Sequence, residues 1–402
     1  MRVLHLSHAY GTQSAGGAAI AASTLHNSLL NRGIESHFAC VLKMEEGVNV
    51  HILPSSKIVR FVYLVAAKLM RGFGKFTKFK KSIGINLFPL PGLKKLVREI
   101  NPDVIHIHWI NCGVCSFRSL SKLNKNLVIN LHDLWMINAI DPCPSLINDT
   151  RYIDGFKFNN SIFLERWLMK RKMEFIKGNS VLFVGPSQWV CDECKKSIIG
   201  QRSKAFFVPN IIRDNFKFIP ELGRRDKKYI FLFGCDGGIN NPCKGFSEIE
   251  AAIKLIPPQI QKRIELWEFG GRKGDFFIEG VLVKRLGRMN DSSHLCRIYN
   301  AADAFLFASK CETQGMTKIE ALLCGLPVVA FNRTACAEGV VDKINGRVVA
   351  DGNINGFAEA MIDCYMHPVD KSVVALSAKN IFNEDNVVNK ILAVYHESLG
   401  VN

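Results

Sequence analysis

Several absences narrow what this chain can do. No Asp-x-Asp occurs in its 402 residues, so a diphosphate clamped through a metal by paired aspartates has no support. There is no Walker loop, and no Gly-x-Gly-x-x-Gly follows the first strand-like segment. Both facts argue against a P-loop enzyme and against a nicotinamide enzyme. No apolar run reaches the ~20 residues of a spanning helix; the longest candidate, 61–67, is cut by Lys68. The opening MRVLHLSHAY is too short and too polar for a signal peptide. It reads as a first strand, and a cytoplasmic protein is expected. Internal repeats and low-complexity tracts are missing too. Acidic residues are absent from 47 to 98, where eleven Lys and Arg lie.

What is present is basic, and unevenly so. The net charge is +16. The first 210 residues hold 28 Lys/Arg against 13 Asp/Glu, and the remainder 24 against 23. The excess therefore predicts an anionic partner for the first half. On a helix through 57–71, Lys57, Arg60, Lys68 and Arg71 share one narrow face, with Ile58, Phe61, Val62, Val65 and Leu69 beside it. Lys75, Lys78, Lys80 and Lys81 follow, interleaved with Phe73, Phe76 and Phe79. Segment 57–81 thus has the pattern of an interfacial helix on an anionic membrane surface. The plain alternative is a core-facing helix with a solvated basic face. Nucleic acid is not expected as a partner, because no recognised nucleic-acid module accompanies the charge. The thirteen cysteines are odd in number and scattered, as for reduced, buried thiols. Cys112/Cys115 and Cys191/Cys194 have metal-like spacing, but zinc would need both pairs to meet. No metal is expected.

Apolar strand-like runs alternate with helical ones throughout, which gives an α/β class with parallel sheets. One series comprises 3–7, 36–41, "PDVIHIHW", "LVINLHDLW" and 180–184, with a glycine-bearing loop at 11–17 and a helix at 18–32. A second series comprises "KYIFLFGCDGG", "IELWEFGG", "DAFLFAS" and "PVVAF". The Pro-bearing, charged stretch "FFVPNIIRDNFKFIPELGRRDKK" reads as the seam. Two domains follow, 1–210 and 211–385, each long enough for its own core.

Glu312 and Glu320 are the most informative pair. Strand 304–308 leads into loop 309–315, then a short helix 316–324 that Gly325 and Pro327 end. Backbone N–H groups around Gly315, Met316 and Thr317 form a helix N-terminus suited to phosphate. An anion there, with a carboxylate on each side, suits a nucleotide sugar. Lys244 stands between a strand and a helix, where its ammonium can neutralise a diphosphate leaving group. Gly16 and Gly17 open the first helix and permit close backbone approach. His132 and Asp133 end one strand, and His108, Trp109 and Asn111 end its neighbour, where open α/β sheets bind ligands. His5 and His106 read as strand histidines without a role.

The run ETQGMTKIEALLCGLPVVA, with seven residues between Glu312 and Glu320, resembles the Glu-x7-Glu signature of GT-B retaining glycosyltransferases of family 4. It is most similar to enzymes of capsule, O-antigen and colanic-acid assembly. The resemblance implies two Rossmann-like domains facing each other across a cleft, the last helix (386–402) crossing back to the first. It implies transfer of a hexose from a nucleotide diphosphate sugar to a lipid-linked glycan, peripheral to the inner face of the cell membrane, with no cofactor. Glu312 would hold the donor sugar, Glu320 the ribose and Lys244 the diphosphate. Glu338 falls at a position near the donor, and His132 would lie beside the transferred sugar. His108, Trp109, Asn111 and Asp133 would line the acceptor side. The family's arginine before this lysine is Ile239 here. Two alternatives stand beside this reading: a sugar-nucleotide 2-epimerase of the same fold, which needs no acceptor, and a non-catalytic sugar-nucleotide-binding protein of the assembly machinery.

Overall fold

A computed structural model describes residues 1–401 apart from 12–15, 74–85, 111–113, 145–147, 158–160, 223–227 and 290. The chain divides into two compact units, Met1–Ile211 with Asp385–Asn402, and Ile212–Glu384. Unit 1 is built on β1 (Arg2–Tyr10), β2 (Glu35–Lys43), β3 (Val50–Ile52), β4 (Val104–Ile107), β5 (Asn126–Asn130), β6 (Val181–Gly185) and β7 (Ala205–Phe207). They form one sheet in the order β3-β2-β1-β4-β5-β6-β7, and all its pairs are parallel. Strands such as VIHI are buried along their whole length, as a sheet covered on both faces requires. On one face Val3, Val104, Val128 and Val184 pack with Leu25 and Leu29 of the helix Gly17–Asn31. The C-terminal helix Glu384–Leu399 closes the same face through Val387, Val388, Ile391, Val394 and Tyr395. So the last helix does return to the first unit. The expected seam needs correction: residues 205–207 pair with β6 as a strand, their brevity having hidden them beside Pro209.

Unit 2 carries β8 (Tyr229–Gly234), β9 (Ile264–Phe269), β10 (Lys273–Ile278), β11 (Val281–Gly287), β12 (Ala304–Phe307), β13 (Val328–Asn332) and β14 (Gly346–Ala350). Their order is β10-β11-β9-β8-β12-β13-β14. The expected four strands are joined by three more. β10 and β11 form an antiparallel hairpin turned by Glu279 and Gly280, both at positive φ, the geometry that two-residue hairpin loops favour. β10 is an edge strand, mostly solvent-facing, so it lacks the apolar run that marks a buried strand.

In each sheet the order reverses beside the first strand, between β1 and β4 and between β8 and β12. The connections on either side leave in opposite directions there and open a crevice at the strands' carboxyl ends. The candidate residues gather at these two places. Ile391 is 1% exposed in the helix-to-sheet core. Ile391→Ala should lower stability by about 2–5 kcal/mol, read from urea unfolding. A loss below about 0.5 kcal/mol would show that this helix is not held by its apolar face.

Candidate active site

Lys244 and Glu312 meet at the β8/β12 reversal. After β8 the chain makes two 3₁₀ turns, Gly238–Asn240 and Pro242–Lys244. Gly245 follows at φ +74, and a Cβ there would lie 1.8 Å from the Ala308 carbonyl oxygen. Only glycine fits this close pass, which brings Lys244 up to the end of β12. Its ammonium lies 2.6 Å from Glu312 Oε1. Burial works against the charged lysine, but the adjacent carboxylate outweighs it and raises the Lys244 pKa. Glu312 is held in turn through its N–H, which donates to Thr334 Oγ1 at 3.1 Å.

Gly315, at φ +81, is the N-cap of the helix Met316–Leu323 and supplies no side-chain acceptor to its first turn. Thr317 and Met316 open that helix, whose first N–H groups point away from its own carbonyls. Glu320 lies deeper, 7% exposed. It accepts from the Tyr299 hydroxyl at 3.1 Å, and Arg213 stands 3.6 Å from its other oxygen. Burial pushes its pKa up to about 7, against the pull of Arg213 and Tyr299. Sequence reasoning missed both partners. Arg213 hid in the seam, and Tyr299 reads as an ordinary core aromatic. It missed Lys318 as well: the fully buried ammonium donates to the carbonyls of Ala335 (2.8 Å), Cys336 (3.0 Å) and Glu338 (2.7 Å). A lysine on the apolar side of a short helix was the available signal. Through that clasp, the backbone of the Glu338 turn is fixed beside the helix start. Ile239 packs against the core and offers no charge to a phosphate.

In unit 1 the β1/β4/β5 ends carry the other candidates. Gly16 is the N-cap of Gly17–Asn31, at φ +81, and among the described residues a Cβ at Gly16 or Gly17 would meet nothing within 4 Å. The positive φ of Gly16 is itself a reason for glycine there. His132 Nε2 lies 3.0 Å from His108 Nδ1. Trp109 donates its indole N–H to Asp133 at 3.0 Å, and Asp133 also accepts from the Trp135 N–H at 2.9 Å. Asp133 thus ties two strand ends together, and burial raises its pKa. Asn111 lies outside the described residues.

His5, His106 and His108 place one nitrogen each within 4.8 Å of one another. His108, however, spends both nitrogens on neighbouring imidazoles, so the group reads as a hydrogen-bonded chain rather than a cage. Among the described residues no cysteine belongs to a set with metal-ligand spacing. Cys115, Cys191 and Cys194 are buried, and Cys112 lies outside the described residues.

The basic helix spans Lys57–Phe73. Tyr63 and Leu64 pack on the core. Ile58 (78%), Phe61 (69%) and Val62 (61%) are exposed instead, so the predicted apolar stripe does not face the core. The lysines at 75, 78, 80 and 81 lie outside the described residues. Among those residues no helix is long and apolar enough to cross a membrane.

Comparison with known families adds to this geometry. Residues 15–216 match the model described as Glycosyltransferase Family 4. The chain belongs to glycosyltransferase family 4. Residues 232–367 match a second model, glycosyl transferases group 1. WcaC of Escherichia coli K12, provisionally named a colanic acid biosynthesis glycosyl transferase, is 24% identical over 84% of this chain and 85% of its own. Among solved structures, sucrose-phosphate synthase from Thermosynechococcus elongatus superposes with a TM-score of 0.69 at 15% identity, covering 99% of both chains. HepE of Anabaena, in complex with UDP-glucose, gives 0.62 at 14% identity, over 99% of this chain and all of that one. The two sheets are those of the GT-B fold, and the protein is a glycosyltransferase.

Glu320 provides a pH test of this family 4 site. Its carboxyl is harder to ionise when folded, so the folded state holds the extra proton. The stabilisation is complete below the ordinary carboxylate pKa and is lost as pH rises towards 7. Its size is about 3 kcal/mol. Glu320→Gln should flatten the fall in stability between pH 4.5 and 7 in urea titrations. An unchanged slope would mean that another group titrates there.

Proposed function

We propose that the protein is a retaining hexosyltransferase. It moves a hexose from a nucleotide diphosphate sugar to a lipid-linked glycan in the assembly of a bacterial surface polysaccharide. One observation carries this reading: a lysine paired with a carboxylate at the β8/β12 reversal, beside a helix N-terminus capped by glycine. An ammonium and first-turn N–H groups together suit a diphosphate, and a carboxylate next to them suits sugar hydroxyls. Lys244 with Gly315, Met316 and Thr317 would take the diphosphate, Glu312 the hexose, Glu320 the ribose. The Glu338 turn would close the donor side, with Gly16 and Gly17 near the transferred sugar. His132, His108 and Trp109 would meet the sugar or the acceptor, Asp133 acting by holding Trp109. The UDP-glucose complex of HepE supports the donor class, and the name of WcaC supports the polysaccharide context. No metal is assigned a step, since Lys244 supplies positive charge where the diphosphate leaves.

Lys244→Ala should weaken UDP or GDP binding at least tenfold while changing uridine or guanosine binding less than twofold. Calorimetry in EDTA buffer reads both. Equal losses would show that Lys244 acts through folding. Turnover of a nucleotide sugar with no acceptor present would favour the epimerase reading, and binding without any turnover the non-catalytic one.

The exposed stripe of the helix Lys57–Phe73 supports docking of unit 1 on the cytoplasmic face of an anionic membrane. Each basic residue near such a surface contributes about 1 kcal/mol, and apolar side chains add insertion. Wild type should co-sediment with phosphatidylglycerol vesicles at low salt and release at high salt. Phe61→Ser with Val62→Ser should cut the bound fraction several-fold and spare nucleotide-sugar binding. Equal sedimentation by both proteins would remove this helix from the interface.

A further inference from the structure

A buried ion pair beneath the Lys244 loop has no part in the reading above. Glu268 in β9 and Arg285 in β11 pair in register. Side chains two apart on a strand share a face, and Leu266 and Val283, two residues before them, belong to the apolar core of unit 2. Glu268 is 0% exposed, and Arg285 Nε donates to its Oε2 at 3.3 Å. Such a pair costs more desolvation than two apolar side chains of similar volume. The other carboxylate oxygen shows what the pair supplies. Glu268 Oε1 accepts the Ile239 N–H at 3.3 Å, which no apolar side chain could do.

The backbone above Oε1 comes close to it. A Cβ on Gly238, at φ +54, would lie 1.7 Å from Oε1, and one on Gly271 would lie 2.7 Å from it. Both approaches need glycine. The Cys235 thiol donates to the Gly238 carbonyl at 3.3 Å. Backbone bonds then run on towards the lysine. The Asn241 N–H donates to the Gly238 carbonyl at 3.1 Å, and the Lys244 N–H to the Asn241 carbonyl at 3.0 Å. Two consecutive 3₁₀ turns thus hang from Glu268 at one end and carry Lys244 at the other, where Gly245 passes Ala308. Burial pushes the Cys235 thiol up to about 12; Lys244 opposes this, while Glu268 and Glu312 add to it. The two ion pairs therefore share one neighbourhood.

We propose that Glu268 is a positioning residue of the donor site: its Oε1 holds the Ile239 turn and so sets where the Lys244 ammonium stands, while Arg285 neutralises and orients that carboxylate. Glu268 itself touches no ligand. The consequence for donor binding rests on Lys244 meeting the diphosphate, as proposed above. The hold on the turn does not.

Two double variants separate the acceptor from the charges. Glu268→Leu with Arg285→Met removes both, and exchanging a buried pair for apolar residues of similar volume commonly preserves the fold. Glu268→Gln with Arg285→Met removes the charges and keeps an oxygen for the Ile239 N–H. Hydrogen exchange of the Ile239 amide is read by NMR of ¹⁵N-isoleucine-labelled full-length protein, the signal being assigned through Ile239→Val. Exchange should be slow in the wild type and the second double variant, and fast in the first. UDP or GDP affinity, from calorimetry in EDTA buffer, should fall about fivefold in the first double variant alone, with uridine or guanosine affinity unchanged. Equal exchange in the two double variants, or equal affinity for a nucleotide that the wild type binds, would overturn the inference. If the first double variant does not fold, a fast-exchanging Ile239 amide in the wild type, or a fivefold loss of affinity in the second, would overturn it instead. A wild type that binds neither UDP nor GDP would remove Lys244 from the diphosphate and leave amide exchange to decide the hold on the turn.

Discussion

Parallel pairing of each unit's first strand with the strand that follows the reversal is the constraint on which the rest depends. β1 against β4, and β8 against β12, set which strand ends lie side by side. Parallel strands need crossover connections, so the loops at the carboxyl ends of β1, β4, β8 and β12 are free of hairpin geometry and can be shaped for a ligand. Lys244 and Glu312 are 68 residues apart in sequence and 2.6 Å apart in space because β8 and β12 are neighbours. The same holds for His5 and His108, separated by 103 residues. A register slip of one residue in β1 would send His5 to the other face and break its contact with His108.

Each unit then fixes its strand-end loop with a buried ammonium. Lys318 in unit 2 gathers three carbonyls of the turn after β13. Lys172 in unit 1 does the same for the turn after β5, donating to the carbonyls of Trp135, Asn138 (2.6 Å) and Ala139 (3.2 Å) and lying over the Trp135 ring. Burial drives the pKa of both lysines down, that of Lys318 to about 8. A buried charge is costly unless its donors are satisfied. Three carbonyls per ammonium meet that demand, and the turns they belong to cannot move without giving it up. Rigid turns follow where irregular backbone would otherwise be loose.

Much of this was legible in the sequence, and for identifiable reasons. Strand-helix alternation reports burial on both faces, so β4, β5, β12 and β13 stood out. The Glu312-to-Glu320 run carried its meaning because glycine, a short helix and CGLPVV fix the loop around it. The hairpin of β10 and β11 did not stand out, since an edge strand needs no apolar run. Arg213 could not be found because its partner Glu320 lies 107 residues away, and nothing local marks a long-range ion pair. The helix Lys57–Phe73 shows the opposite failure. Its amphipathic pattern was plain, but periodicity says only that a stripe exists, and exposure of Ile58, Phe61 and Val62 was needed to say that the core does not cover it.

The Lys244–Glu312 pair also bears on how a nearly neutral unit could hold a doubly charged ligand. Unit 2 has almost no net charge to attract an anion, so the attraction must be local. Without ligand, Glu312 neutralises Lys244, and neither side chain is left unpaired in a half-buried place. Under the proposed function an incoming diphosphate competes for that ammonium. Two anionic groups then share one lysine, with the helix N-terminus at Gly315 drawing the phosphate the other way. As the lysine turns to the phosphate, Glu312 loses part of its partner and gains acceptor capacity for hydroxyl groups. The sugar attached to that same diphosphate carries those hydroxyls. A bare inorganic phosphate would displace the lysine without giving Glu312 anything in return, so the exchange favours a phosphate that brings its own donors.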